Sequence, residues 1–299
     1  MSSDYKVTIG LCVRNCAALI KGTIKSIMDQ DFPHQLMEVF FVDDGSEDRT
    51  LSIIQSYLPK LNMKVRLFHH KWKGLGYTRN VVVSHAKGEY IIWVDGDMLL
   101  SKEFVRMQVD FMDKNPQIGI GKGRYGMYAQ KNLVGDLENI EFVVTALRGN
   151  ERAGSVPLGT GGSIYRVKAI RGVGGFDTNI KGSGEDIDAE YRIRAAGWLL
   201  TFTSAVFFER RRMTWKALWN EYYWHGRGSS YIFEKNRWVL DLYKLWPPIL
   251  LAVESFRVVL AYKLTRRKVT LLLPFHYFFK RVAWCLGFIR NVFGNIGRS

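Results

Sequence analysis

Within its first 120 residues the chain repeats one pattern: a short apolar run of strand length, then a stretch whose apolar residues recur every three or four positions. Residues 7–13, 39–42, 65–68 and 90–94 supply the apolar runs. Between them, Ile20, Ile24, Ile27 and Met28 fall on one helical face, a helix follows residues 43–46 to about Tyr57, and residues 77–86 read as another helix. Strands separated by helices of this length need right-handed crossovers, which predicts a mostly parallel sheet covered on both faces. Ligands of such a sheet bind beyond the carboxyl ends of its strands. The polar residues that end the second and fourth strands are therefore the first candidates for chemistry.

With 299 residues, 47% of them hydrophobic, the chain can bury a real core and has the length of about two domains. That composition excludes a disordered, collagen-like or disulfide-stapled chain. Three cysteines, Cys12, Cys16 and Cys285, form no Cys-x-x-Cys and read as buried thiols in a reduced, cytoplasmic setting. A strand-like run begins directly after residues 1–4, where a signal peptide would need a long apolar core. Charge is uneven: residues 1–204 carry 26 basic and 23 acidic side chains, residues 205–299 carry 17 and 5. The last third must meet a polyanion, either nucleic acid or an anionic membrane face.

That last third is also aromatic. Residues 245–262 are apolar except for Glu254 and Arg257, which can pair at i, i+3. Residues 269–293 are long enough to span a bilayer, about 20 residues being required, yet Lys280 and Arg281 fall near the middle. On a helical projection His276, Tyr277, Lys280, Arg281 and Trp284 share one face, while Leu272, Phe275, Phe279, Val282, Leu286 and Ile289 share the other. This suits a helix lying in the membrane interface, with Arg266, Arg267 and Lys268 facing headgroups. The alternative is two amphipathic helices packed on the preceding domain.

The sharpest local signal is Asp95-Gly96-Asp97 after the apolar run 90–94. Residues two apart on an extended chain point the same way, so the carboxylates can converge, and the glycine between them lets a ligand approach. Hard oxygen ligands suit Mg²⁺ or Mn²⁺ with substrate phosphates. Asp43-Asp44-Gly45-Ser46 ends the second strand similarly; a carboxylate there can accept from a nucleobase N–H or a ribose hydroxyl, while Ser46 or Asp48 caps the next helix. Arg79 either grips a diphosphate through its forked donors or lies on a helix surface. In the helix from Glu185, Asp188 with Arg192 and Glu190 with Arg194 are i, i+4 pairs of an exposed face. Glu185 and Asp186 have no basic partner at i+4; they either favour the helix dipole or supply a general base. His69 and His70 end a strand without a third metal ligand spaced to join them.

Taken in order, these features resemble the family 2 glycosyltransferases of the GT-A fold. The matching residues are Val13-Arg14-Asn15, Asp43-Asp44-Gly45-Ser46, Arg79-Asn80, Asp95-Gly96-Asp97, Gly161-Gly162-Ser163, Gly174-Gly175-Phe176-Asp177, Gly184-Glu185-Asp186 and Gly197-Trp198. The resemblance covers residues 7 to about 228. It implies that residues 1–120 bind a nucleotide sugar, 121–204 bind the acceptor and 205–299 form a basic, aromatic membrane-association region of amphipathic helices. It further implies that Val13, Asn15, Asp43, Asp44, Arg79 and Asp95 bind the nucleotide and that Asp97 with Asp95 binds Mg²⁺ or Mn²⁺. Asp186 matches the catalytic base, beside Glu185, and Gly161, Gly162 and Arg227 lie toward the acceptor or diphosphate. The implied reaction is inverting transfer of one sugar from a UDP- or GDP-hexose, such as GDP-mannose, to a lipid-linked or glycan acceptor at the cytoplasmic face of a membrane. The Gln-x-x-Arg-Trp motif of processive synthases is absent, Trp224-His225-Gly226-Arg227 standing in its place only loosely, and Cys16 replaces an acid common in the first loop. The rival readings are a nucleotidyltransferase, which needs no Glu185-Asp186 pair, and a basic nucleic-acid-binding protein.

Overall fold

The apolar runs become β1 (Tyr5–Val13), β2 (Met37–Asp44), β3 (Lys64–His70) and β4 (Gly88–Trp93), joined through α1 (Ile20–Met28), α2 (Thr50–Tyr57) and α3 (Leu75–His85). Four further strands follow: β5 (Met98–Leu100), β6 (Ile118–Tyr125), β7 (Ser163–Arg166) and β8 (Leu199–Glu209). The remaining helices are α4 (Phe104–Lys114), α5 (Leu133–Gly149), α6 (Val167–Gly172), α7 (Glu185–Ala195), α8 (Trp215–Lys235) and α9 (Leu273–Ile296). This computed structural model describes residues 5–128, 132–149, 157–180, 183–235 and 258–296.

The chain falls into two units: Met1–Gly126 with Arg148–Thr178 and Asp186–Glu209, and Met127–Leu147 with Asn179–Glu185 and Arg210–Ser299. The first holds a single eight-stranded sheet in the order β3-β2-β1-β4-β7-β6-β8-β5. The four strands legible in the sequence are parallel, with Val13 beside Asp43 and Gly10 beside Trp93. Beyond them the expectation of a mostly parallel sheet fails. β7 runs antiparallel to β4 and β6, and β5 antiparallel to β8, so the sheet is mixed. The reversal is made by β7, which enters the sheet between β4 and β6 and runs against both, whereas β6 and β8 are again parallel.

Both faces of this sheet are covered. Ile20, Ile24 and Ile27 of α1, Ile54 of α2 and Phe104, Val105, Val109 and Met112 of α4 pack on one side. Val82 and Val83 of α3, Ala169 and Ile170 of α6, and Ala189 and Ile193 of α7 pack on the other. Glu38 is buried at the outset of this core. It accepts the Thr8 hydroxyl at 2.6 Å and the Lys87 amide at 2.6 Å, tying the amino ends of β1, β2 and β4 together.

The second unit is helical, and its charge placement differs from the expectation of a polar face turned to headgroups. His276 and Lys280 of α9 are buried, 0% and 2% exposed. Lys280 donates to Glu138 and, at 2.8 Å, to Glu141 of α5, and His276 Nδ1 lies 3.2 Å from Glu141. Burial works against the charge on Glu141, but Lys280 and His276 hold its pKa down at about 2. The same attraction, working against desolvation, pushes the Lys280 ammonium well above its ordinary range. Glu138, Glu141 and His276 are spaced to hold a metal ion, and the Lys280 ammonium already supplies the cation there. Leu271, Leu272, Phe275, Leu286 and Ile289 are exposed. Gly226 and Gly287 let α8 and α9 touch, since a Cβ on either would stand 1.9 Å from the Trp284 carbonyl or 2.1 Å from that of Tyr223. Among the described residues no helix is long and apolar enough to cross a membrane. Most of the apolar segment 245–262, including Glu254 and Arg257, lies outside the described residues.

Removing the Lys280 amine between Glu138 and Glu141 leaves the two carboxylates facing His276 and the Tyr222 hydroxyl. Lys280→Met is expected to lower the stability of the helical unit by about 3–5 kcal/mol, read as a fall in the denaturation midpoint. Glu138→Gln and Glu141→Gln added to the same chain should recover most of the loss.

Candidate active site

β1, β2 and β4 end side by side, and the polar residues beyond them meet there. Asp43, wholly buried, accepts the Ser46 amide at 2.9 Å and lies 3.0 Å from His69 Nδ1, all through Oδ1. Its Oδ2 is buried and accepts no hydrogen bond, an open acceptor of the kind a nucleobase N–H or ribose hydroxyl fills. Asp44 is committed differently. Its two oxygens accept the amides of Lys73 at 2.7 Å and Gly74 at 3.0 Å, fixing the loop that enters α3. Asn15, at φ 51°, stitches the first loop to the second: its amide donates to Ser46 Oγ at 3.0 Å and its Oδ1 accepts the Glu47 amide at 2.8 Å. Ser46 is thus taken up by Asn15 rather than by capping α2, while Asp48 does bind the Thr50 amide at 2.9 Å. Val13 is buried beneath them.

Arg79 is 6% exposed, which removes the helix-surface alternative; its guanidinium lies 5.7 Å from the Phe176 ring. The next residue, Asn80, brackets Phe176 by accepting its amide at 2.8 Å and donating to its carbonyl at 2.7 Å. The Gly174-Gly175-Phe176 turn therefore holds α3 in place, and Gly175, at φ 77°, has no room for a Cβ against Asn80.

Asp95 and Asp97 flank the turn after β4 and are partly exposed, as ligands of an incoming ion must be. The fit to a metal rests on Gly161: a Cβ there would stand 2.5 Å from Asp95 Oδ2, so the glycine keeps clear the space that this oxygen faces. The two thiols among these acids are inert. Burial pushes Cys12 up to about 12, offset in part by Arg79, with Asp95 and Asp44 adding to the rise. Burial does the same for Cys16, where Asp48, Asp97 and Asp43 add to the rise.

Asp186 stands in the first turn of α7. Its Oδ1 accepts the Ile187 amide at 2.9 Å and its Oδ2 the Thr160 amide at 3.4 Å, beside Gly159. Thr160 thus donates to Asp186, while Gly161, the next residue, leaves room for Asp95 Oδ2. Two consecutive residues join the candidate base to the candidate metal ligands. Glu185 opens α7 and is buried, and Arg227 is exposed on α8 of the helical unit. The Asp188–Arg192 pair forms at 2.8 Å, but inward, with Arg192 also donating to the carbonyls of Val173 and Gly175. Glu190 departs from its expected place on an exposed face. It is 2% exposed and accepts the amides of Leu158 at 2.9 Å and Gly159 at 2.5 Å. Lys122 of β6, also 2% exposed, donates to the Gly161 carbonyl. Sequence reasoning missed the role of both residues; the signal for Lys122 was its place between two glycines in a strand that begins apolar.

Comparison with known proteins identifies the family of the chain. The family model described as "Glycosyl transferase family 2" matches residues 8–173. The poly(ribitol-phosphate) β-N-acetylglucosaminyltransferase TarS of Staphylococcus aureus is 38% identical over 101 residues, 34% of this chain and 18% of that protein. The poly-β-1,6-N-acetyl-D-glucosamine synthase of Staphylococcus epidermidis is 22% identical over 277 residues, 84% of this chain and 65% of that protein. The chain thus spans about a fifth of the first relative and under two thirds of the second. Among solved structures, the mannosyltransferase PcManGT of Pyrobaculum calidifontis, in complex with GDP-Man and Mn²⁺, superposes with a TM-score of 0.66 at 18% identity, covering 97% of this chain and 87% of that one. With more than half of its length matched by the family model, the chain belongs to glycosyl transferase family 2.

Proposed function

We propose that the chain transfers a single sugar, with inversion, from a nucleoside-diphosphate hexose to a hydroxyl of a lipid-linked or glycan acceptor. The observation that carries this reading lies on neighbouring residues: the Thr160 amide reaches Asp186, and Gly161 leaves open the space in front of Asp95 Oδ2. One short backbone segment thus adjoins both a base and a diphosphate-anchoring group. The open Oδ2 of Asp43 receives the nucleoside, and the buried Arg79 guanidinium supplies positive charge toward the diphosphate. Asp95 and Asp97 are the residues that would hold Mg²⁺ or Mn²⁺. When bound, the ion supplies Lewis acidity toward the departing diphosphate. Asp186 takes the proton of the attacking hydroxyl, which it can do because one of its oxygens is held only by the long Thr160 contact. A single displacement needs no protein nucleophile, in keeping with thiols raised to about 12. The GDP-Man and UDP-GlcNAc complexes of its structural neighbours support a donor of this class.

The helical unit is proposed to rest on the cytoplasmic face of an anionic membrane without crossing it. Support comes from the exposed Leu271, Leu272, Phe275, Leu286 and Ile289, together with Arg266 and Lys268 in the same stretch, Arg267 being paired with Asp136 instead of turned to headgroups. Buried apolar area is not screened by salt, whereas nucleic-acid binding through phosphates is.

Nucleoside-diphosphate release from UDP-GlcNAc and GDP-mannose, with Mn²⁺ and with EDTA, tests the chemistry. Asp186→Asn is expected to lower turnover by about 10²–10⁴ while donor binding persists. Full turnover in that variant would show that Asp186 is not the base. Gly161→Ala, which intrudes on Asp95, is expected to weaken the response to Mn²⁺ with the fold intact by circular dichroism. On vesicles containing phosphatidylserine, flotation should survive high salt and fall when Phe275, Leu286 and Ile289 are all changed to Ser. Complete release by salt would sink the apolar part of the proposal.

A further inference from the structure

Residues 158–162 form a strap held almost entirely by its own backbone. At one end the amides of Leu158 and Gly159 enter the Glu190 carboxylate, at 2.9 and 2.5 Å. Ser163 Oγ donates to the Gly159 carbonyl at 2.6 Å, and the Thr160 amide reaches Asp186. At the other end Lys122 donates to the Gly161 carbonyl, and Gln108 Nε2 donates to that of Gly162 at 3.1 Å. The Gly162 amide donates at 2.9 Å to the carbonyl of Trp93, two residues before Asp95. Left-handed glycines at 159 and 162, φ 70° and 72°, make the turns. The strap is thus the physical link between the two acids assigned to base and metal, and Glu190 is its anchor on the side of the base.

We propose that Glu190 is a positioning residue of the transfer reaction: its ionised carboxylate grips two amides at once and thereby sets the strap that keeps Asp186 and Asp95 in register, with Lys122 fixing the far end. The proposal rests on the transferase reading for its consequence but not for its geometry. An anchor of this kind has a cost that an inert core residue would not carry. Burial pushes the Glu190 pKa up to about 7, with Asp186 adding to the rise, while the Leu158 and Gly159 amides and Lys122 oppose it. The charged and titratable groups facing it are Asp186 one turn earlier on α7, Lys122 from β6 and the Tyr165 phenol from β7.

The sign follows directly. The folded protein binds this proton more tightly than the unfolded chain, whose reference value is 4.5. Stability from this group is therefore greatest below the unfolded value and declines as pH rises toward about 7. Turnover runs the other way. A protonated carboxyl has only one full acceptor oxygen left for the two N–H donors, and the grip weakens. Below about 7 the strap loosens; above it the strap is held.

Glu190→Gln tests this in the full chain. The carboxamide keeps one acceptor oxygen in place of two, gives up the shorter Leu158 contact at 2.9 Å and cannot ionise. Expected is a fall in kcat of about 10- to 100-fold with the donor KM little changed. The acid limb of the wild-type kcat profile should lie near 7 and be absent from the variant, and Glu190→Asp should restore part of the rate and the limb. Hydrogen–deuterium exchange of the peptide covering 158–162, measured without any sugar donor, should be faster in Glu190→Gln than in wild type at the same pH. A wild-type exchange rate or an unmoved acid limb in the folded variant would overturn the proposal. If neither UDP-GlcNAc nor GDP-mannose turns over, the transferase reading fails while exchange still decides the strap. Should Glu190→Gln fail to fold, Lys122→Met serves: loosened exchange at 161–162 with the acid limb retained supports the strap, and wild-type exchange there refutes it.

Discussion

The constraint beneath the whole site is the gathering of like charges. Asp43, Asp44, Asp95, Asp97, Asp186 and Glu190 all belong to the sheet-bearing unit, where carboxylates brought together out of water repel one another. Main-chain amides resolve the conflict. Ser46 serves Asp43, Lys73 and Gly74 serve Asp44, Ile187 and Thr160 serve Asp186, and Leu158 and Gly159 serve Glu190. Backbone donors are fixed in place by the fold, so each can hold a carboxylate without bringing a mobile counter-charge that would compete with a ligand cation. The oxygens they leave uncovered, Asp43 Oδ2 above all, are then the ones available for binding.

That division of labour explains what was legible in the sequence and what was not. An acid at the end of an apolar strand is conspicuous, because nothing in the packing of a parallel sheet calls for it; Asp43, Asp95 and Asp97 were visible for that reason. Arg79 was ambiguous because helix position alone does not say which side faces the core, and only packing on Phe176 decides it. Glu190 was misread because a complete local explanation, an i, i+4 partner in Arg194, was at hand. Its real donors lie about thirty residues back in the chain, the backbone amides of Leu158 and Gly159, which carry no side-chain signature. Lys122 was hidden in the same way, its partner being a carbonyl.

The second half of the sheet was equally hard to read. Glycines crowd β6 and the strap, which weakens any periodic pattern, yet packing requires them. Gly121 lies against Thr203 and Ile164, and Gly162 against the Phe207 ring, each with no space for a Cβ. The α5 helix escaped notice as well, since a glycine-rich neighbourhood obscured Leu137, Ile140 and Val144, the residues that build its apolar face.

In the helical unit the polar stripe of α9 was legible, but its direction was not. A helix with one charged and one apolar face ordinarily turns the charge to water. Here Glu138 and Glu141 on α5 meet Lys280 and His276, and exchanging hydration for these contacts lets the charged stripe face inward. An ionic core of this kind adds less stability than an apolar one of the same volume, and it leaves the apolar face of α9 with Phe275, Leu286 and Ile289 exposed. Large side chains presented outward at such a cost make sense where something apolar covers them. Burying the charged face to free the apolar one is therefore the feature on which the proposed docking of this unit on a membrane surface rests.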